Sequence, residues 1–213
     1  MIKIAPSLLA ADLMNLGAEI QKMLDLGITR LHYDVMDAHF VPNLSFGTSM
    51  CEEIKQRFPA LQMDVHLMMD NPLEYLEVFA KAGADIITLH QEVLRDAGAA
   101  MQKIKALGVK CGLSVKPKTG AETLLPCLDS VDNLLIMTVE PGFGGQEFMP
   151  DMLDKLRFLR SQGYRGDLAV DGGVNGENAP EIVRAGANVL VMGTAFFRAK
   201  DAKKLVRAIK EIQ

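Results

Sequence analysis

The sequence predicts an α/β protein: a closed (β/α)8 barrel of the TIM type, one domain spanning 1–213. Three observations carry this. Short β-like runs alternate with helix-period segments along the whole chain, which implies a parallel sheet covered by helices. Eight such units of roughly 25 residues each suit closure into a barrel. Glycine or proline marks most boundaries, and Leu26-Gly27-Ile28, Ala82-Gly83-Ala84 and Ala185-Gly186-Ala187 recur just before a strand. A doubly wound open sheet is the alternative arrangement of the same elements.

The first strand is IKIAPS (2–7), followed by a helical pattern on Leu16, Ile20, Met23 and Leu24 that stops at Gly27. RLHYDVMD (30–37) is the second, with a helix near 48–58. LQMDVHLMM (61–69) is the third, and Asn71-Pro72 opens a helix to Ala82, ended by Gly83. DIITLH (85–90) precedes a helix over about 96–106 closed by Gly108. VKCGLSV (109–115) precedes a short helix near 121–127. NLLIMTV (133–139) leads, through a loop, to a helix from Pro150 to about Ser161. DLAVDGG (167–173) precedes a helix over about 177–185 ended by Gly186, and NVLVMG (188–193) is the eighth strand. The segment AKKLVRAIKEI then closes the chain as an amphipathic helix.

Composition narrows the function. The net charge of −4 argues against a nucleic-acid or anionic-membrane partner, because those need a basic surface. An anionic small ligand stays open if local donors hold it. No apolar run reaches the ~18 residues of a membrane span, and Pro6-Ser7 interrupt the only run resembling a signal peptide. Cys51, Cys111 and Cys127 are an odd, widely spaced set without a CxxC, which fits a reducing cytoplasm rather than a disulfide framework.

In LHYDVMD (31–37), alternation puts Leu31, Tyr33 and Val35 on one face and His32, Asp34 and Met36 on the other. An edge strand with a wet face would explain this, and so would a strand whose polar face points into an enclosed site. Barrel placement favours the second, since active sites lie at the C-terminal strand ends. Ser7, His32 and Asp34, His66, His90, Asp171 and Gly193-Thr194 all fall there, and His39 follows directly in a loop. His32, Asp34, His66 and Asp171 would converge on one point. Two imidazoles with two carboxylates suit one divalent transition metal, Zn2+, Fe2+, Mn2+ or Co2+, and are too nitrogen-rich for a dedicated Mg2+ or Ca2+ site. Each histidine taken alone would read as a hydrogen-bonded interior residue.

Glycine forms a second constellation. Gly142, Gly144 and Gly145 flank Phe143 in one loop, Gly172-Gly173 follow strand seven, and Gly193-Thr194 follow strand eight. Individually they are turn residues; together their bare amides could hold a phosphate, as loops after strands seven and eight of barrels often do. Met36, Met68 and Met137 each end a strand on the inward face and would form a polarisable wall, or simply fill the core.

Taken together, HYDVMDAHFVPNLSFG, DVHLMMDNP, MTVEPGFGGQEFMP, VDGGVNGENAP and the closing MGTAFF resemble the ribulose-phosphate 3-epimerase family over essentially the whole chain. The resemblance implies interconversion of D-ribulose 5-phosphate and D-xylulose 5-phosphate. It implies His32, Asp34, His66 and Asp171 as metal ligands, with Asp34 and Asp171 as the acid/base pair. Ser7 and His66 would touch the substrate, and Gly142–Gly145, Gly172–Gly173 and Gly193–Thr194 would hold its phosphate. It also implies a homo-oligomer, dimer or hexamer. The chemistry agrees: inverting C3 requires one proton to leave one face and another to arrive on the opposite face, with compensation for the charge of the ene-diolate between. Ala38 stands where the family usually has glycine, and Thr48-Ser49 where a proline pair is usual; both are expected near the site mouth. A 3-epimerase of a ketohexose phosphate (D-allulose 6-phosphate, D-fructose 6-phosphate) would share these ligands. A decarboxylase or aldolase would need a reacting lysine, for which Lys116 is the candidate, and a non-catalytic phosphosugar-binding protein would have lost an acid/base residue.

Overall fold

The computed structural model describes residues 2–212. Eight parallel strands run in the order β1-β8-β7-β6-β5-β4-β3-β2. They are β1 (Lys3–Pro6), β2 (Arg30–Met36), β3 (Gln62–Met68), β4 (Ile86–His90), β5 (Lys110–Val115), β6 (Asn133–Met137), β7 (Asp167–Asp171) and β8 (Val189–Met192). The open seam between β1 and β2 is closed by a parallel bridge from Ser7 to His32, so the sheet forms a barrel and not a doubly wound layer. Register sets the site: Asp34 lies opposite His66, and Met36 opposite Met68.

Outside lie α1 (Leu16–Asp25), α2 (Thr48–Arg57), α3 (Leu76–Lys81), α4 (Ala97–Ala106), α5 (Leu153–Ser161), α6 (Ala179–Arg184), α7 (Thr194–Phe197) and α8 (Ala202–Lys210). Asp96 and Asp201 cap α4 and α8 through side-chain bonds to the amides of Ala99 and Lys204. Gly27, Gly83, Gly108 and Gly186 end their helices with left-handed φ of 71°, 95°, 75° and 117°, as the helix-stop reading requires. The short helix expected near 121–127 is present as Ala121–Cys127, in 3-10 form, where Pro126 offers no amide to an α-turn. The proline-initiated helices also begin as 3-10 turns, Pro72–Glu74 and Pro150–Met152, before α3 and α5. The short α7, directly after Gly193, was not foreseen.

Alternation splits every strand between two environments. Leu31, Tyr33, Val35, Val65 and Leu67 point outward into the core beneath the helices. The inward set is part polar, and at the N-terminal end of the barrel it makes a buried ion network. Arg30 donates to Asp64 Oδ2 through Nε (3.0 Å) and Nη2 (2.8 Å), and to Asp167 through Nη1 (2.9 Å). Lys3 meets Asp167 from the rim at 2.8 Å. This plug seals the floor beneath His32, so charge at the opposite end faces one opening only.

Candidate active site

At the C-terminal end of the barrel, His32, Asp34, His66 and Asp171 each present one ligand-type atom, all within 4.8 Å of one another. His32 Nε2 is 3.2 Å from Asp34 Oδ1, 3.7 Å from Asp171 Oδ2 and 3.4 Å from His66 Nδ1. His66 Nδ1 is itself 3.2 Å from Asp34 Oδ1. On its far side His32 Nδ1 lies 3.2 Å from Asp64 Oδ2. A carboxylate only accepts, so a neutral His32 keeps its proton on Nδ1 and turns the Nε2 lone pair to the cluster.

The donor set fits a divalent cation, because its two carboxylates draw positive charge to the point where the imidazole nitrogens converge. Burial opposes a charged imidazole, yet Asp34 and then Asp64 outweigh it and raise the His32 pKa well above 6.5. Burial likewise pushes Asp34 up, but His32 and His66 prevail and hold it ionised, well below the usual carboxylate range. Asp171 goes the other way: burial, then the Asp34 carboxylate, push it up to about 6. Two carboxylates at one site are thus driven apart in proton affinity.

Asp34 and Asp171 line a cavity of about 270 Å3, while His32 and His66, the latter expected at the substrate, are buried behind its lining. Ser7, Asp34, Asp171, Met36, Met68 and Met137 face it, and so does the whole glycine set: Gly142, Phe143, Gly144, Gly145, Gly172, Gly173, Gly193 and Thr194. The amides of Gly172, Gly173, Thr194 and Ala195 have no acceptor among the described residues, leaving a cluster of free donors on one wall. The three methionines are almost fully buried. Phe143 is 56% exposed, at the mouth. Ser7 donates to Asp34 Oδ2 at 2.6 Å, a partner that the sequence did not suggest.

Other candidates fall outside. His39 is exposed and its Nδ1 bonds the Asp37 carbonyl at 2.8 Å, ordering the loop. Asp37 ties that loop together by accepting from the amides of His39, Phe40 and Asp70. Lys116 Nζ lies 3.5 Å from the Phe40 ring centroid and donates to the Phe40 carbonyl, so it is not a cavity lysine. Ala38 and Thr48-Ser49 do not line the cavity; Thr48 borders a neighbouring groove beside Asp37 and Asn71. Three contributors were passed over in the sequence. Asp64 stands two residues before His66 on the same face, a signal that alternation does provide. Glu92, behind His90, and Asn43, whose Nδ2 donates to the Gly142 carbonyl at 2.6 Å, carry no such signal.

The chain is similar to known proteins along nearly its whole length. A family model described as the ribulose-phosphate 3 epimerase family matches residues 3–197. The cytoplasmic isoform of ribulose-phosphate 3-epimerase from Oryza sativa subsp. japonica is 43% identical over 213 residues, covering 98% of this chain and 93% of the rice protein. The Bacillus subtilis (strain 168) ribulose-phosphate 3-epimerase is 42% identical over 215 residues, covering 99% of each chain. Among solved structures, 3-keto-L-gulonate-6-phosphate decarboxylase from Vibrio cholerae superposes with a TM-score of 0.74 over 99% of this chain and 95% of that one, at 14% identity, a likeness of fold alone. With the family model spanning the barrel from β1 to α7 and relatives above 40% identity along nearly their full length, the chain belongs to the ribulose-phosphate 3-epimerase family.

Proposed function

We propose that this protein interconverts D-ribulose 5-phosphate and D-xylulose 5-phosphate by proton transfer at C3, with Asp34 and Asp171 as the two acid/base groups. The observation that carries the reading is the split pair: an ionised Asp34 on β2 and an Asp171 on β7 whose pKa is pushed up to about 6, both lining one cavity. In one direction Asp34 accepts the C3 proton from one face and protonated Asp171 delivers a proton to the other; the reverse reaction swaps the roles. Ser7 holds Asp34 Oδ2, which fixes the carboxylate orientation toward the cavity.

His32, Asp34, His66 and Asp171 would hold one divalent transition metal (Zn2+, Fe2+, Mn2+ or Co2+). When bound, the cation supplies positive charge beside the oxygens of the deprotonated substrate. The free amides of Gly172, Gly173, Thr194 and Ala195 are placed to hold the phosphate, with Gly142, Phe143, Gly144, Gly145 and Gly193 shaping the space around it. Anchoring a remote dianion sets which carbon meets the carboxylates. Met36, Met68 and Met137 form the dry wall opposite. Cys51, Cys111 and Cys127 are free and buried, in keeping with a cytoplasmic protein, and a homo-oligomer remains part of the reading.

The test is turnover of D-ribulose 5-phosphate in deuterated water. Deuterium should appear at C3 of the product; epimerisation with the original hydrogen retained would discard the two-carboxylate scheme. A parallel comparison of kcat/KM should favour D-ribulose 5-phosphate over D-allulose 6-phosphate, and the opposite order would reassign the substrate to a hexulose phosphate.

A further inference from the structure

The two imidazoles of the cluster are held from behind in different ways. His32 leans directly on the Asp64 carboxylate. His66 has no carboxylate behind it: its Nε2 lies 2.8 Å from His90 Nε2, and His90 Nδ1 lies 3.2 Å from Glu92 Oε2. Both rings are wholly buried and stack with centroids 4.9 Å apart. Phe40 covers the other side of His90 at 4.6 Å.

Protons in this chain are not free to choose. Two ring nitrogens 2.8 Å apart share one proton, and the Glu92 carboxylate can only accept. His90 therefore carries its proton on Nδ1, toward Glu92, and its Nε2 is an acceptor. The proton between the rings then belongs to His66 Nε2, which turns the His66 Nδ1 lone pair toward Asp34 Oδ1, 3.2 Å away, an approach that a cation held by both would satisfy. The opposite order would set a lone pair of His90 against Glu92 and place the His66 proton on Nδ1, toward Asp34, so the relay decides whether Nδ1 meets a cation or a proton.

Glu92 is itself clamped. Its Oε1 accepts from the Lys116 amide at 2.7 Å and the Thr119 hydroxyl at 2.5 Å. The segment carrying those donors is fixed by Lys155, whose ammonium donates to the carbonyls of Lys116 (3.0 Å), Pro117 (2.8 Å) and Thr119 (2.6 Å). One carboxylate is thus held by two donors on one oxygen while it orders two rings with the other.

We propose that Glu92 and His90 are positioning residues: a two-step relay that fixes the tautomer of His66 so that Nδ1 is always available to a divalent first-row cation. The inference rests on the metal reading of the cluster. It predicts a specific consequence for Glu92→Gln. The amide oxygen of glutamine belongs with the Lys116 and Thr119 donors, so its NH2 faces His90 Nδ1. That reverses the relay and puts a proton on His66 Nδ1, where a cation should bind.

Co2+ serves as the probe, titrated into the full-length protein against a competing chelator while the visible absorption of the bound ion is followed. Glu92→Gln should bind Co2+ about 10–100-fold more weakly, with an altered visible spectrum. Thr119→Val, which removes a Glu92 contact without reversing the relay, should keep the wild-type spectrum. Equal affinity and an identical spectrum for wild type and Glu92→Gln would overturn the relay and leave the metal reading standing. Failure of the wild-type protein to take up Co2+ would overturn the metal reading itself, and the relay with it. If Glu92→Gln does not fold, nitrogen-15 NMR of the histidine rings in the Zn2+-loaded wild type decides. A proton on His66 Nε2 and His90 Nδ1 supports the relay; either proton on the other nitrogen overturns it.

Discussion

On the β2–β4 side of the cavity, His32, Asp34, His66 and His90 are buried side chains whose polar atoms have partners at 2.6–3.4 Å. On the β6–β8 side, around Asp171, the wall is largely backbone: Gly142, Gly145, Gly172 and Gly173 have φ of 129°, 78°, 120° and 65°, and the residues lining it include amides without an acceptor. The difference follows from the work proposed for each wall. Breaking a C–H bond needs groups with tuned proton affinity, which only titratable side chains in fixed geometry provide. Holding a phosphate needs donors without titration, and amides at tight turns provide them without adding a basic cluster. A protein of net charge −4 can therefore receive a dianionic substrate.

The titratable side chains, Asp34 on the first wall and Asp171 standing on β7 among the backbone donors, should give the largest effects. Asp34→Asn and Asp171→Asn are each expected to lower kcat by about 10²–10⁴-fold, the usual weight of an acid/base group, with near-ultraviolet circular dichroism unchanged. Near-normal turnover in either variant removes that residue from the proton-transfer pair. Exhaustive chelation comes next: activity should fall to background in a verified metal-free protein and return with Mn2+, Co2+ or Zn2+. Full activity without metal would end the ligand assignment of His32, His66 and both aspartates.

The backbone wall should respond through binding. A Cβ on Gly173 would meet the Phe148 backbone nitrogen at 2.6 Å and Cα at 2.8 Å, and the residue is left-handed besides. Gly173→Ala should raise KM for D-ribulose 5-phosphate by tenfold or more, with a smaller fall in kcat. Turnover of D-ribulose, which lacks the phosphate, should be almost unaffected. An equal loss on both substrates would mean that the loop positions the reacting end and not the phosphate.

Legibility in the sequence differed between the walls for a physical reason. Alternation is a local rule, so His32-x-Asp34-x-Met36 placed its own side chains, and barrel closure brought β7 to them. Gly27, Gly83, Gly108 and Gly186 marked helix ends because a left-handed stop has a one-residue signature. A free amide has none: that Gly172 and Gly173 offer donors while other glycines merely turn is decided by φ and neighbours. The His66–His90–Glu92 chain was invisible for another reason. It depends on Lys155 reaching back to 116–119, a contact between segments about 37 residues apart that no spacing rule encodes. Pro126 was on view, yet its neighbours carry an ordinary helical pattern, so the 3-10 geometry of Ala121–Cys127 was missed.

The smallest effect offers the sharpest control on the comparison, because left-handed backbone occurs on both sides. Ala38, in the loop after β2, has φ 62° and is the one described non-glycine residue with positive φ. Its position is exposed, outside the cavity lining, and its amide bonds the Asn43 carbonyl at 2.9 Å. An alanine there bears about 1 kcal/mol of strain that glycine lacks, partly offset by the greater freedom of glycine in the unfolded chain. Ala38→Gly should therefore stabilise the protein by about 0.5 kcal/mol in urea unfolding and leave kcat/KM unchanged. Ala38→Val should destabilise it by about 1–2 kcal/mol, since a β-branched residue suits this region worst. At Gly173 the same conformation is expected to govern substrate binding, because backbone lies within reach of the missing Cβ and the residue lines the cavity. At Ala38 it is expected to govern stability alone. If Ala38→Gly instead shifts KM for the phosphorylated substrate, the β2 rim takes part in phosphate capture, and the division of labour between the walls fails.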